Sequence, residues 1–187
     1  YDPPKCHPET RVAIIQAIID WIKDGQKTSF IKWLNGPAGA GKSAIAQKIA
    51  ELCYESGYLE ASFFWSRTAA GRNNSERLIA TLAYQLLIAI PLLQQPVEEA
   101  VEHDPYIFSR SLAAQMEALV VQPLKTVFED NHREVINTPK VIILDGLDEC
   151  GPAEAQQLIL EVVGDSIRKF PIPLCFLIAS RPEKVCH

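Results

Sequence analysis

The chain has 187 residues, of which 48% are hydrophobic and 22% are charged. These values are those of an ordinary globular domain, and they exclude intrinsic disorder, a collagen-like repeat and low-complexity structure. The length predicts one domain, or one domain with a small appendage. Because the net charge is −5, a broad basic surface is not expected, and we predict no nucleic-acid partner. A local basic patch stays open as an alternative.

Cysteine usage and hydropathy predict a reducing, cytoplasmic setting. The five cysteines are widely spread, odd in number and free of any Cys-x-x-Cys pair, so neither a disulfide framework nor a zinc site is indicated. The longest uncharged stretch, residues 78–97, contains glutamines and prolines that a bilayer-spanning helix tolerates badly, so we predict no membrane span. The chain begins with Tyr1 and ends at His187 just after an apolar run. We therefore expect a piece of a longer protein, whose targeting signals cannot be observed.

Helical and strand-like stretches alternate along the chain, which is the pattern of an α/β sheet with crossover helices. Apolar spacing, glycines and prolines predict helices at residues 11–23, 42–54, 76–90, 112–121 and 124–128 and after Pro152. Short apolar runs predict strands at residues 30–34, 61–65, 141–144 and 174–179. The run at 141–144 is typical of a strand buried on both faces of a parallel sheet. Side chains expected against the sheet or in the core include Leu158, Ile159, Val162, Val163, Trp21, Trp33 and Trp65.

One segment carries a complete phosphate-loop motif, and it lies between the first predicted strand and the second predicted helix. It matches G-x-x-x-x-G-K-[ST] with Gly36, Pro37, Ala38, Gly39, Ala40, Gly41, Lys42 and Ser43. Glycines let backbone N–H groups turn toward anionic oxygens, and the N-terminus of the following helix adds partial positive charge. We predict that this segment, with Ala44 after it, binds a nucleotide, Lys42 reaching the β- and γ-phosphates and Ser43 binding Mg²⁺. The alternative is a glycine-rich turn with an ordinary exposed lysine.

An acidic block follows the most apolar predicted strand. Asp145 stands at the carboxyl end of that strand, where α/β sheets place their ligand crevice, and could complete the Mg²⁺ shell. Asp148 and Glu149 come directly after it. Three carboxylates within five residues repel one another unless a cation or solvent relieves them, which favours a metal–nucleotide site. The alternatives are a helix N-cap for Asp145 and a solvated loop for the later pair.

Arg181 follows the last predicted strand. Its guanidinium could point at the γ-phosphate and so distinguish a triphosphate from a diphosphate. Pairing with a surface carboxylate is equally supported by position alone.

Four segments together resemble the NACHT nucleotide-binding domain of the STAND class of P-loop NTPases, and the likeness is closest to fungal NLR-like proteins. They are residues 36–43, 61–67, 144–149 and 178–182. The small residue after Asp145, followed by a second acidic pair, is the most family-specific feature. The resemblance covers nearly the whole chain and implies one NACHT domain over residues 1–187. It implies a three-layer P-loop NTPase fold of the ASCE type, a parallel sheet with helices on both faces. In that fold the Arg181 strand lies between the phosphate-loop strand and the Asp145 strand.

The resemblance also implies roles for single residues at the nucleotide. Lys42 and Ser43 would bind phosphate and Mg²⁺, and Asp145 would hold Mg²⁺ directly or through water. The segment before the first helix often touches the adenine in this class. Candidates for the base pocket are therefore Pro8, Thr10 and Arg11.

The implied function is an ATP/ADP-dependent signalling switch of the innate-immunity or heterokaryon-incompatibility type. Hydrolysis would be slow and Mg²⁺-dependent, with Asp148 or Glu149 orienting the attacking water and Arg181 sensing the γ-phosphate. The family's helical, winged-helix and repeat regions are absent from this chain, and an N-terminal effector domain would have been removed. We therefore expect effector and sensor domains as partners in cis and regulated self-association of the full-length protein.

Other function classes stay open at this point. A continuously cycling ATPase or a small-molecule kinase would use the same loop. The kinase is disfavoured, because no lid-like run of arginines follows the acidic block. A GTPase would be expected to show Asn-Lys-x-Asp, which residues 137–140 do not supply, so ATP or ADP is favoured over GTP. An inactive scaffold is disfavoured by intact Lys42, Ser43, Asp145 and Glu149.

Overall fold

The computed structural model describes residues 8–129 and 138–182. The strands are β1 (Ile31–Asn35), β2 (Leu59–Phe64), β3 (Lys140–Asp145) and β4 (Leu174–Ser180). The α-helices are α1 (Pro8–Lys23), α2 (Lys42–Glu55), α3 (Leu78–Ala89), α4 (Gln94–His103), α5 (Leu112–Met116), α6 (Gln122–Glu129) and α7 (Ala153–Ile167). Shorter turns of helix lie at Pro91–Leu93, Ile107–Ser109 and Leu147–Glu149, and a π-helical turn at Glu117–Val121 joins α5 to α6.

The four strands form one parallel sheet in the order β1-β4-β3-β2. Asn35 lies opposite Ser180, Asp145 opposite Ala179, and Phe64 opposite Asp145, so all four carboxyl ends reach the same edge. This arrangement confirms the predicted α/β class, and it confirms that the strand preceding Arg181 lies between the phosphate-loop strand and the Asp145 strand.

Two apolar cores cover the two faces of the sheet. Because successive strand residues point to opposite faces, Ile143 and Leu177 pack with α1 and α2, whereas Ile142 and Phe176 pack with helices from α3 to α7. Every residue of β3 and β4 is buried, as expected for central strands of a parallel sheet. The described part of the chain is therefore a three-layer sandwich with its functional edge at the carboxyl ends of the strands.

Two side chains predicted to be buried are exposed, and a third, Trp21, is only partly buried against the core. Trp33 is 45% exposed because β1 is an edge strand of the described sheet, paired on one side only with β4. Leu158 is also 45% exposed, since the buried stripe of α7 runs through Ile159, Val162 and Val163. Trp65, by contrast, is in the core as predicted.

Two helices differ from the predicted elements. The first begins at Pro8, three residues before the predicted start. The segment at Gln94–His103, expected to be the exit of a buried helix, is itself the helix α4. Its Pro96 lies in the first turn, where the missing N–H is tolerated, and only Val97 is fully buried. In the described ranges no helix is both long and apolar enough to cross a bilayer.

Candidate functional site

The phosphate-loop motif lies where β1 ends and α2 begins. Ala40 N–H donates to Pro37 O at 3.2 Å, which closes the turn. The Lys42 ammonium donates to Gly36 O at 2.5 Å and to Pro37 O at 2.8 Å, so the side chain folds back over the loop. These contacts place a positive charge at the rim of a cavity of about 280 Å³.

That cavity brings together most of the predicted site residues. Its walls come from the loop, from the acidic block and from the end of β4. The lining residues are Ala38, Gly39, Gly41, Lys42, Ser43, Ala44, Asp145, Gly146, Asp148, Glu149, Ala179, Ser180 and Arg181. Gly36 and Pro37 contribute through the carbonyls that hold Lys42, whereas Ala40 does not line the cavity.

The three residues proposed for a base pocket lie within the first turn of α1 and not before it. Thr10 is exposed, and the side chain of Pro8 lies outside the described part of the structure. Arg11 is close to the phosphate loop: a Cβ placed on Gly41 would come within 2.5 Å of the Arg11 guanidinium. Because Gly41 also has φ +80°, a residue with a side chain there would be strained, and the flexible Arg11 guanidinium would have to move aside.

Asp145 is a buried carboxylate at the centre of the site, 5% exposed. Burial raises the pKa of its carboxyl, and the nearby charges of Glu149 and Asp148 raise it further. The Ser43 hydroxyl bond and the Lys42 charge oppose that rise in the pKa of Asp145. A buried acid that is disfavoured as an anion gains from a cation beside it, so the pair of Ser43 and Asp145 fits a divalent ion.

The oxygen donors of this site suit a hard divalent cation such as Mg²⁺. Within residues 8–129 and 138–182, no three His, Cys, Asp or Glu side chains come together as a metal cage. Mg²⁺ commonly binds through one or two protein oxygens and fills its remaining positions with water and substrate phosphates. Ser43 and Asp145 at the cavity wall supply such a partial set.

The acidic block turns sharply after Asp145. Gly146 has φ +78°, and the next three residues form one turn of 3₁₀ helix. Asp148 then faces β4: its Oδ1 accepts the Arg181 N–H at 3.1 Å, and its Oδ2 lies 3.3 Å from Arg181 Nε. Glu149 faces β2, and its Oε2 accepts the Arg67 N–H at 3.1 Å. The two carboxylates thus point to opposite neighbours of β3.

Arg67 belongs to this site, although sequence reasoning assigned it no role. Besides its backbone bond to Glu149, its Nη2 donates to Asp148 O at 3.3 Å. A signal was present in the sequence, since the chain leaves both β2 and β4 through Ser-Arg: Ser66-Arg67 and Ser180-Arg181. Only the strand order shows that these two pairs flank the same acidic turn.

A second cavity of about 500 Å³ lies between α3 and α4 and is larger than the first. Its walls are mainly apolar, with Tyr84, Leu87 and Phe108 among them. It holds neither the phosphate loop nor a basic group, so it does not compete as the site of phosphate chemistry.

The parallel sheet, with a phosphate loop after its first strand and an acidic strand end separated from that loop by one strand, has the fold of a P-loop NTPase. A family model described as Nephrocystin 3, N-terminal, matches residues 14–181, and the chain belongs to that family. A search of the curated proteins finds no match. The family found is thus the nephrocystin 3 N-terminal one, and the finer resemblance to NACHT domains stays a prediction.

Proposed function

We propose that this chain is the nucleotide-binding part of an ATP/ADP-dependent signalling switch of the NACHT type, with slow Mg²⁺-dependent hydrolysis. The observation that carries the proposal is the convergence of Lys42, Ser43, Asp145 and Arg181 on one cavity at the carboxyl edge of the sheet. Anion donors and a cation site on facing walls of one cleft suit a Mg²⁺–nucleotide.

Each group has a separate task in this proposal. The loop N–H groups and the N-terminus of α2 bind phosphate oxygens, and Lys42 adds a point charge. Ser43 and Asp145 would hold Mg²⁺, which would supply positive charge to the phosphate groups. Arg181 reads the γ-phosphate, and one of the two carboxylates, Asp148 or Glu149, receives a proton from the attacking water.

The sharpest test is nucleotide binding by Lys42→Ala, measured by titration with a fluorescent ATP analogue. Loss of one charge-assisted contact weakens binding by about 10- to 100-fold. Lys48→Ala is the matched control, because Lys48 lies on the same helix, is 56% exposed and pairs with Glu51 at 3.6 Å. Equal affinity of the Lys42 and Lys48 variants would remove the phosphate loop from the proposal.

Base preference and turnover separate this switch from the other P-loop enzymes. Competition with ATP and GTP should favour ATP, since the guanine motif is missing at residues 137–140. Steady-state phosphate release should be slow, below the ~1 to 10³ s⁻¹ of ordinary enzymes. Displacement by GTP at equal or lower concentration would point to a GTPase, and fast multiple turnover to a cycling ATPase.

The remaining parts of the proposal concern the full-length protein. Sensor and effector domains in cis, self-association in the active state and a cytoplasmic location follow from the NACHT resemblance. Cys53, Cys150 and Cys175 are buried free thiols, which suits a reducing compartment. Size measurement of the full-length protein with ATP and with ADP tests the regulated association.

A further inference from the structure

Resting on the proposed nucleotide switch, we propose that the two carboxylates of the acidic turn have different tasks. Asp148 is a positioning residue that holds Arg181, and Glu149 alone receives the proton of the attacking water. Arg67, on the other side of the turn, is a further positioning residue that keeps Glu149 in place.

Both oxygens of Asp148 are already engaged by one residue. Oδ1 accepts the Arg181 N–H at 3.1 Å and Oδ2 lies 3.3 Å from Arg181 Nε. The Asp148 side chain is only 11% exposed. With both oxygens facing Arg181, Asp148 is placed to orient the guanidinium and has no uncommitted oxygen to offer to a water.

The same contacts leave Arg181 able to bind phosphate. A guanidinium has five N–H donors in a fixed fork, and Asp148 faces only the one at Nε. Among the described residues, neither Nη group of Arg181 has a hydrogen-bond partner. The Arg181 side chain is 50% exposed and lines the cavity. Asp148 therefore restricts the orientation of the fork while its four outer donors stay available.

In the part of the chain that the structure describes, Glu149 is held at one oxygen. Its Oε2 accepts the Arg67 N–H, and within residues 8–129 and 138–182 no group donates to Oε1. Glu149 also lines the cavity. One fixed oxygen and one free oxygen suit a general base, because the first sets the direction in which the second can accept a proton.

Arg67 fixes the turn at two points, through its N–H to Glu149 and through Nη2 to Asp148 O. The Asp148 carbonyl also accepts from Gln156 Nε2 at 3.4 Å. Removing the Arg67 side chain alone therefore loosens the turn without releasing it, and we expect a modest effect on hydrolysis.

In the hydrolytic step, ATP and water become ADP and inorganic phosphate. The water oxygen forms a bond to the γ-phosphorus while the bond from that phosphorus to the β,γ-bridging oxygen breaks. The proton of the water passes to Glu149 Oε1 and later to solvent. ADP and inorganic phosphate leave, and Arg181 contacts the γ-phosphate oxygens throughout.

The test measures two quantities for each variant, the ratio of the ADP and ATP dissociation constants and the single-turnover hydrolysis rate. Arg181→Ala should lower the preference for ATP by about tenfold, and Asp148→Asn should reproduce most of that loss. The double variant, which carries both Asp148→Asn and Arg181→Ala, should lose no more of the preference for ATP than Arg181→Ala alone, because Asp148 acts through Arg181. Asp165→Asn and Arg168→Ala, an exposed pair 3.4 Å apart on and just after α7, are the matched controls and should change neither quantity.

Glu149→Gln should keep the parental preference for ATP and slow hydrolysis by about 10²-fold or more. Arg67→Ala should also keep the preference and slow hydrolysis by about three- to tenfold, with partial recovery in Arg67→Lys. Arg72→Ala, in the same connection, is the control. Thermal unfolding of every variant shows whether it is folded.

Three results would overturn the inference. The first is an unchanged ATP preference in Asp148→Asn together with the hydrolysis defect of Glu149→Gln, which would make Asp148 the base. The second is equal affinity of the parental chain for ADP and ATP, which would leave Arg181 with nothing to sense. The third is additive loss of preference in the double variant. A parental chain that binds no ATP would instead remove the proposed function itself, and the inference with it.

Discussion

Replacing Gly146 by alanine should destabilise the protein, because this backbone position is both left-handed and crowded. Gly146 has φ +78°, and a Cβ placed on it would lie 3.2 Å from Trp65 O and 3.7 Å from Trp65 Cβ. The surrounding backbone is pinned on both sides. Gly146 N–H donates to Ala179 O at 2.9 Å, and Trp65 N–H donates to Asp145 O at 2.9 Å. The new methyl group therefore meets a carbonyl that cannot easily move away.

The expected loss follows from three contributions. A left-handed conformation costs a residue with a Cβ about 1–2 kcal/mol, and the close contact with a fixed carbonyl adds about 1 kcal/mol. Alanine also reduces the entropy of the unfolded chain, which offsets about 0.4–1 kcal/mol. We expect the free energy of unfolding of Gly146→Ala to fall by about 1–3 kcal/mol, a large part of the ~5–15 kcal/mol of a typical domain.

Urea unfolding followed by tryptophan fluorescence measures this change. The matched control is Gly164→Ala, because Gly164 lies inside α7 without a positive φ, and no atom lies within 4 Å of the position that a Cβ would take there. That variant should be more stable than the parent by about 0.5–1 kcal/mol. An unfolding midpoint of Gly146→Ala at or above the parental one, or equal losses in the two variants, would refute the reasoning.

Two further predictions concern buried groups away from the cavity. Glu60 and Lys140 form an ion pair of 2.6 Å with 2% and 10% exposed side chains, so Lys140→Met should cost about 3–5 kcal/mol by leaving the Glu60 charge unpaired. Burial raises the pKa of Glu60 despite that partner, so the folded state holds the proton more tightly. The free energy of unfolding that Lys140→Met loses, measured by urea unfolding, should therefore be larger at pH 8 than at pH 5. An equal loss at the two pH values would contradict this prediction. Burial also raises three thiol pKa values, and iodoacetamide at pH 8 followed by mass spectrometry should leave these thiols unmodified until urea unfolds the chain. They are Cys53 and Cys150, each with a pKa of about 11, and Cys175, with a pKa of about 12.

The parts of the fold that could be predicted from the sequence have local signals. The phosphate loop needs eight consecutive residues and a strand and helix beside them, and both elements lie where the pattern indicated. The apolar run before Asp145 predicted a central strand, and β3 is buried along its whole length. Local sequence patterns predict such elements, because the burial and the backbone geometry of each element depend mainly on the residues of that one segment.

The parts that could not be predicted depend on which segments become neighbours. Trp33 has the alternation of a buried strand, but its exposure follows from the edge position of β1. The bond from Arg67 to Glu149 joins residues 82 apart in the chain, and nothing local to either residue indicates the other. α4 was missed for a different reason, since Pro91 and Pro96 indicated the end of a helix there and six of the ten residues of α4 are polar.

β4 connects the two parts of the proposed site, the phosphate loop and the acidic turn that carries Asp148 and Glu149. β4 lies between the phosphate-loop strand and the acidic strand, so its carboxyl end is beside both the loop and the turn. The turn is attached to that end twice, by Gly146 N–H on Ala179 O at 2.9 Å and by the contacts of Asp148 with Arg181. If Arg181 moves when a γ-phosphate arrives, Asp148 must move with it, and the turn that carries Glu149 must follow. Sensing of the triphosphate and placement of the base are then one displacement, and substitution of Asp148 should break the link between them together with the preference for ATP.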